Sequence, residues 1–207
     1  MDQAIEIMQV FYTNPTKIYT INEISSLLPK PYGTTYNYVQ SLIKEKVVKA
    51  TTKGKATLCS INFKSQKAIE LLSLLSVSGK EAFTKKQVLL SSAMDEFGIA
   101  VKEKLNHNIF SLILFGSTVK GTAREKSDID LFFITPSKDK YDEIIESECN
   151  ALRMRYGRDV NPIIAEPKMY INMLKEEGEN VGKQILRDKI IFFGANKFWE
   201  LTMEALK

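Results

Sequence analysis

Histidine, cysteine and long apolar runs are scarce in this 207-residue sequence, and each shortage argues against a class of protein. His107 has no second imidazole beside it, so a zinc site is not expected. Cys59 and Cys149 fit no ligand spacing such as C-x-x-C and are interpreted as reduced packing residues. No apolar stretch approaches the ~18 residues of a membrane span, and the N-terminus lacks the basic start of a secretory signal. We therefore expect a cytoplasmic protein with no membrane partner.

The net charge of +4 is confined to the first third of the chain. Residues 1–64 contain eight lysines and four acidic residues, which gives 8 − 4 = +4. The remaining residues contain 21 basic and 21 acidic side chains, so their net charge is zero. This asymmetry indicates an N-terminal region that faces a polyanion and a second region with a different task.

Residues 1–64 show a predicted order of three helices followed by a hairpin. The first helix covers residues 2–13, and Thr20 to Glu23 form a capping box that opens the second. Thr34 or Thr35 caps a third helix that ends near Glu45. Two strands, Val47–Ala50 and Ala56–Ile61, flank Lys53-Gly54-Lys55. This order of elements resembles the winged helix-turn-helix family.

The winged-helix resemblance implies that the third helix enters the major groove of double-stranded DNA. Its non-core side and the hairpin tip then supply the DNA-binding residues, which are Thr35, Tyr36, Asn37, Gln40, Lys44, Lys53 and Lys55. An alternative is a winged helix used for dimerisation or for holding a substrate, with lysines that only keep it soluble. A homodimer is compatible with either interpretation.

The remainder of the chain is predicted to be a helical connector followed by an α/β domain. Residues 65–105 have a helical pattern that Ser78-Gly79 is expected to interrupt. From residue 110 onward, apolar strand-like runs alternate with helices. We therefore predict three regions: residues 1–64, a connector at 65–80, and a domain at 81–207.

One segment of the second domain carries residues suited to phosphate and metal chemistry. A predicted strand, Phe110–Phe115, ends in Gly116-Ser117, where glycine allows a phosphate to approach the backbone and serine adds a donor. Asp128 and Asp130 then begin an apolar strand and, being two residues apart, project to the same side. Two adjacent carboxylates repel each other unless a cation lies between them. Oxygen ligands of this kind suit Mg²⁺.

Gly-Ser, ten residues and Asp-Ile-Asp together resemble the nucleotidyltransferase superfamily typified by DNA polymerase beta, in particular its minimal branch. The resemblance covers roughly residues 90–207. It implies an α/β (α+β) domain with a small mixed sheet flanked by helices. It also implies that Gly116 and Ser117 bind the triphosphate and that Asp128 and Asp130 bind Mg²⁺. Lys120, Arg124 and Lys126 lie near enough in sequence to assist, although a solvated surface charge is the simpler interpretation of each.

Active members of that superfamily usually have a third carboxylate on a neighbouring strand. The candidate strand here, Val160–Ala165, places Asp159 and Asn161 on one face. The usual pattern aligns better with Asn161, which can coordinate a metal but cannot accept a proton. Asp159 is the residue that we predict to complete the catalytic set, with an incomplete site at Asn161 as the alternative.

The resemblance implies a nucleotidyltransferase that moves a nucleotide, most often AMP from ATP, to a hydroxyl of a protein or small molecule. Two alternatives remain open at this point. One is a transcriptional regulator whose transferase-like domain only senses a nucleotide. The other is an antitoxin that modifies or sequesters a partner toxin and represses its own operon.

Overall fold

The computed structural model describes residues 3–54, 56–124 and 127–207, and it divides into two compact units. The N-terminal unit comprises residues 1–75 together with 206–207, and the C-terminal unit comprises residues 76–205. None of the helices in the described ranges combines the length and the apolar character that a membrane span requires.

The N-terminal unit packs three helices against a three-stranded antiparallel sheet with the strand order β1-β3-β2. Ile7, Phe11, Ile24, Val39 and Leu42 are fully or almost fully buried and form its core. Its elements are α1 (Gln3–Tyr12), β1 (Tyr19–Thr20), α2 (Ile21–Ser26), α3 (Tyr32–Lys44), β2 (Val48–Lys53) and β3 (Ala56–Ile61).

Two of the local predictions for this unit are confirmed and one is wrong. Thr20 and Glu23 form the capping box of α2, with hydrogen bonds in both directions. Strands β2 and β3 form the expected hairpin, in which Lys53 pairs with Ala56 across the turn. Helix α3, however, begins at Tyr32 with Pro31 as its N-cap, so neither Thr34 nor Thr35 caps it. Pro31 has the extended backbone of an N-cap, with φ −60° and ψ 148°, and its ring fixes φ near this value.

The C-terminal unit is built around a four-stranded sheet with the order β6-β5-β4-β7. Strand β4 is antiparallel to β5 and β7, whereas β5 and β6 are parallel, so the sheet is mixed as predicted. The strands are β4 (Ser111–Phe115), β5 (Ile129–Ile134), β6 (Val160–Ala165) and β7 (Ile190–Phe193). The mixed α/β fold class is confirmed, and β7 is a strand that the sequence analysis did not predict.

Helices cover both faces of this sheet. On one face, Leu131 and Phe133 of β5 belong to a core that also contains Phe97 of α5 and Ile145 of α7. On the other face, Phe132 contacts the buried ring of Tyr170 in α8, at 5.8 Å between centroids. The helices involved are α5 (Val88–Lys104), α6 (Ser117–Lys120), α7 (Lys138–Tyr156), α8 (Pro167–Lys175), α9 (Val181–Arg187) and α10 (Ala195–Ala205).

The predicted helix break at Ser78-Gly79 is wrong. Helix α4 runs without interruption over Gln66–Lys86 and contains both residues. The break lies instead at Gln87, the N-cap of α5, where the backbone leaves the helical region at φ −130° and ψ 58°. A single glycine costs a helix only about 1 kcal/mol, which the packing of such a long helix offsets.

Candidate functional site

Strand β4 ends in a turn that only glycine fits. Gly116 has a φ of +75°, and a Cβ atom built on it would lie 2.0 Å from Oδ2 of Asp130. The two residues are brought together because Phe115 pairs directly with Asp130 in the antiparallel β4–β5 ladder. The absence of a side chain at Gly116 therefore lets the backbone of the Gly116-Ser117 turn lie directly against the Asp130 carboxylate.

Asp128 and Asp130 are joined by a third side chain from the neighbouring strand. Nδ2 of Asn161 donates hydrogen bonds to Oδ2 of Asp128 at 3.1 Å and to Oδ1 of Asp130 at 3.4 Å. Asn161 reaches this place because the parallel β5–β6 register pairs it with Asp130. Two strands thus bring two carboxylates and one carboxamide to a single point beside the Gly116-Ser117 turn.

The environment of Asp130 disfavours its negative charge. Burial raises the pKa of this carboxyl, the hydrogen bond from Asn161 lowers it, and the charge of Asp128 raises it again, with burial the largest effect. The net result is a pKa above the ordinary value for aspartate. A bound cation would reverse this effect, because it stabilises the ionised carboxylates.

The residues at this point fit a magnesium ion by the chemistry of their donors. Carboxylate and amide oxygens are the ligands that Mg²⁺ takes from proteins. Nowhere in the described ranges do three or more His, Cys, Asp or Glu side chains converge into a metal cluster. The candidate donors at this point are the two aspartates and the carboxamide of Asn161. Rotating the Asn161 carboxamide by a half-turn would present its oxygen, rather than its nitrogen, to a cation.

Asp159 takes part in this region through its backbone. Its carbonyl oxygen accepts a hydrogen bond of 2.8 Å from the amide of Ile129, and its side chain is exposed. The described hydrogen bonds to the aspartate pair come from Asn161. A catalytic role of Asp159 stays a prediction.

Arg158 holds the two halves of the motif together, which the sequence analysis did not detect. Its Nε donates to the carbonyl of Ser127 at 2.8 Å, and Nη2 lies 3.4 Å from Oγ1 of Thr118. Thr118 follows Ser117, and Ser127 precedes Asp128, so one guanidinium links the residues next to both motifs. This link depends on the pairing of β5 with β6, which no local pattern reveals.

The cationic residues between the two motifs differ in their surroundings. Lys120 is exposed, with its ammonium 3.7 Å from Oδ2 of Asp188. Arg124 is exposed, and its backbone amide donates to Oγ of Ser127 at 2.7 Å. Lys126 lies outside the described residues.

In the N-terminal unit, helix α3 exposes most of the residues predicted to bind DNA. Tyr36, Asn37 and Lys44 are exposed and Gln40 is half-buried, as is required of a face that contacts a ligand. Thr35 is fully buried, which argues against its predicted contact with DNA: it lies four residues before Val39 and faces the core with it. Lys53 is exposed on β2, and Lys55 lies outside the described residues.

Comparison with known proteins identifies the family of the C-terminal unit. Residues 100–197 match the family model described as "Polymerase beta, Nucleotidyltransferase", and this range contains Gly116, the aspartate pair and Asn161. A protein of Methanocaldococcus jannaschii named "Putative protein adenylyltransferase" is 30% identical over 123 residues, which are 58% of this chain and 82% of that protein. The chain belongs to the polymerase beta-type nucleotidyltransferase family.

A second relative in the same organism supports this nucleotidyltransferase assignment. It carries the same name and is 33% identical over 78 residues, which cover 38% of this chain and 75% of its own length. No solved structure matches the chain.

Proposed function

We propose that this nucleotidyltransferase transfers AMP from ATP to a hydroxyl of a protein acceptor. The observation that carries the proposal is the convergence of Asp128, Asp130 and Asn161 against a turn that leaves no space for a side chain at Gly116. The protein acceptor is suggested by the names of the two archaeal relatives.

Each part of the site has a task in this proposal. The backbone of Gly116-Ser117 and the Ser117 hydroxyl bind the triphosphate of ATP. Asp128 and Asp130, with the Asn161 oxygen, would hold Mg²⁺, which would supply charge neutralisation at the phosphates and at the attacking and leaving oxygens. The acceptor hydroxyl attacks the alpha-phosphorus, the bond to the bridging oxygen breaks, and pyrophosphate leaves with the proton taken up by a base.

The reaction requires a base that accepts the proton of the attacking hydroxyl. Asn161 has no basic oxygen, so it orients the aspartates and any bound cation but removes no proton. A cation stabilises the ionised form of the carboxylates that hold it, so Asp128 and Asp130 are poor bases when Mg²⁺ is bound. We assign the proton to Asp159, at the start of β6, with solvent as the alternative acceptor.

Incorporation of label from two differently labelled forms of ATP tests this proposal. The full chain is incubated with Mg²⁺ and ATP labelled at the alpha- or at the gamma-phosphate, together with protein extract as a source of acceptor. We expect protein-bound label from alpha-labelled ATP alone, because AMP is transferred and the gamma-phosphate leaves in pyrophosphate. Label from gamma-labelled ATP without label from alpha-labelled ATP would indicate phosphoryl transfer and would contradict the proposal.

Variants tie the activity to the site. Asp128→Asn and Asp130→Asn should each lower the affinity for Mg²⁺-ATP and abolish transfer, whereas Asp139→Asn, an exposed aspartate of α7, should change neither. Unchanged Mg²⁺-ATP affinity in both site variants would contradict the assignment of Asp128 and Asp130 as Mg²⁺ ligands. Normal binding by the wild type without any transfer would favour the nucleotide-sensing regulator instead.

We further propose that the N-terminal unit is a winged helix that binds double-stranded DNA. The supporting observations are the helix-helix-hairpin order, the exposed Tyr36, Asn37 and Lys44 on α3, and the confinement of the net charge to residues 1–64. Lys44 and Lys53 contact phosphates in this proposal, while Tyr36 and Asn37 reach base edges.

Gel-shift titration of the full chain with the DNA upstream of its own gene tests this second proposal. Affinity should fall steeply with salt, because lysines that neutralise phosphates release counterions. Lys44→Gln and Lys53→Gln should weaken binding to all sequences alike, and Lys168→Gln, an exposed lysine of α8, should not. If no binding occurs at low salt, the dimerisation interpretation takes the place of this proposal.

A further inference from the structure

A polar cavity lies beside Gly121, Ala123 and Arg124, apart from the aspartate pair. Its volume is about 240 Å³, and the residues that matter for its chemistry are Gln87, Leu90, Thr118, Arg124 and Arg158. Two arginines and one glutamine thus line it, and no acidic residue does so within residues 3–54, 56–124 and 127–207. Such a lining is suited to an anion.

This cavity and the aspartate pair belong to opposite faces of the sheet. Asp130 shares its face of β5 with Phe132, which contacts Tyr170 of α8. Leu90, which lines the cavity, packs instead against the core that contains Ile129 and Leu131, whose side chains alternate with that of Asp130. A ligand bound there would not occupy the place of the aspartate-bound metal.

Arg158 connects this cavity to both motifs. Its hydrogen bonds to Ser127 and Thr118 use two of the five N–H donors of a guanidinium, which leaves donors for a ligand. Thr118 is buried, lines the cavity and is next to Ser117 in the chain. An anion held by Arg158 would therefore stabilise the positions of the segments that carry Ser117 and Asp128.

We propose that this cavity is a second anion site that binds a phosphate group. The volume lies below the roughly 300–1,000 Å³ typical of pockets for drug-sized ligands, so it suits one phosphate group rather than a whole nucleotide. Paired guanidinium groups favour phosphate because they donate in a planar, bidentate arrangement. The phosphate group comes either from free inorganic phosphate or from a phosphate monoester whose remainder stays in solvent.

Methyl NMR of the full chain tests this proposal without Mg²⁺ or a nucleoside triphosphate, so the result does not depend on the transferase activity. Sodium phosphate is titrated into protein labelled at alanine and leucine methyl groups. We expect saturable shifts of Ala123 and Leu90, which line the cavity. A parallel titration with AMP distinguishes the sources: tighter binding of phosphate indicates the free ion, and tighter binding of AMP indicates a monoester.

Charge variants decide whether the cavity itself binds. Gln87→Glu places a carboxylate in the lining and should weaken phosphate binding at least about tenfold, whereas Ser92→Glu adds the same charge at an exposed position of α5 and should have little effect. Arg124→Gln should weaken binding severalfold, and Arg124→Lys should retain part of it. Absence of saturable shifts at Ala123 and Leu90, or insensitivity of those shifts to Gln87→Glu, would each overturn the proposal.

Discussion

The two units place their candidate functional residues in opposite environments. In the N-terminal unit, Tyr36, Asn37 and Lys44 lie on the exposed side of α3, and the core residues on its other side take no part in the proposed contacts. In the C-terminal unit, Gly116 and Asp130 lie where buried strands end, and each constrains the position of the other. Single substitutions on the exposed surface of α3 should therefore each weaken DNA binding only in part. A single substitution at Gly116 or Asp130 should remove most of the nucleotide transfer.

Apart from the aspartate variants, which should abolish transfer, the largest expected effect comes from Gly116→Ala. The added methyl group would overlap Oδ2 of Asp130 at 2.0 Å and would strain a backbone with φ +75°. We expect at least about a hundredfold loss of nucleotide transfer, because displacement of reacting groups by about 1 Å has effects of this size. Loss of transfer is measured with alpha-labelled ATP, alongside circular dichroism to verify the fold.

Gly121→Ala is the matched control for that substitution. Gly121 has nearly the same φ of +71°, but a Cβ atom there would meet nothing within 4 Å. The control therefore carries the backbone cost of about 1–2 kcal/mol without the steric overlap. Equal losses of transfer in both variants would show that backbone strain, and not the contact with Asp130, makes glycine necessary.

An intermediate effect is expected from the amide that bridges the aspartates. Asn161→Asp places a third carboxylate next to Asp128 and Asp130. If Asn161 occupies the third position, we expect transfer to rise on the order of tenfold in the presence of Mg²⁺. Without Mg²⁺ the same variant should be less stable, because three carboxylates then repel one another. Initial rates and melting temperatures with and without Mg²⁺ measure both effects.

Asp159→Ala separates the two candidates for the third position. If Asp159 completes the catalytic set as predicted, Asp159→Ala should lower transfer more than Asn161→Ala does. The side chain of Asp159 is exposed and its described hydrogen bond is made by the backbone, so a change of less than about twofold would instead leave Asn161 in the third position. If Asp159→Ala lowers transfer more than Asn161→Ala does, Asp159 reaches the reacting groups and the site has its third carboxylate.

A smaller effect should distinguish two adjacent residues of α3. Thr35 is fully buried, and its hydroxyl has no hydrogen-bond partner among the described residues, so Thr35→Val should stabilise the helix by about 1 kcal/mol and leave DNA binding unchanged. Tyr36 is exposed, so Tyr36→Ala should reduce DNA sequence preference and leave stability unchanged. Amide hydrogen exchange of α3 and gel shifts measure the two effects. A loss of DNA binding in Thr35→Val would contradict the assignment of the exposed face.

The features that could be predicted from the sequence depend on short spacings. Three such features each span fewer than twenty residues. They are the capping box of α2, the β2–β3 hairpin, and the Gly116-Ser117 motif with the Asp128 and Asp130 that follow it. The contacts of Arg158 and the bridge made by Asn161 depend on the parallel β5–β6 register, which joins residues about thirty positions apart. Strand β7 was missed because its four apolar residues stand between helices and pair with distant β4.

The smallest effect concerns the stability cost of the aspartate pair itself. Burial raises the pKa of Asp130 in the folded protein. The folded protein therefore binds a proton at this carboxyl more tightly than the unfolded chain does. Stability is therefore lost as pH rises from the ordinary aspartate range through the raised folded value, and at pH 7 the full cost is present. Asp130→Asn removes this cost, so it should raise the melting temperature at pH 7 by about 1 °C or more and raise it less near pH 3, where the wild-type carboxyl is also neutral. Asp139→Asn, at an exposed position of α7, should show no such dependence on pH. If Asp130→Asn melts at a lower temperature than the wild type at pH 7 without Mg²⁺, the carboxylate stabilises the fold. That result would contradict the inference that Asp130 lowers the stability of the protein in the absence of a cation.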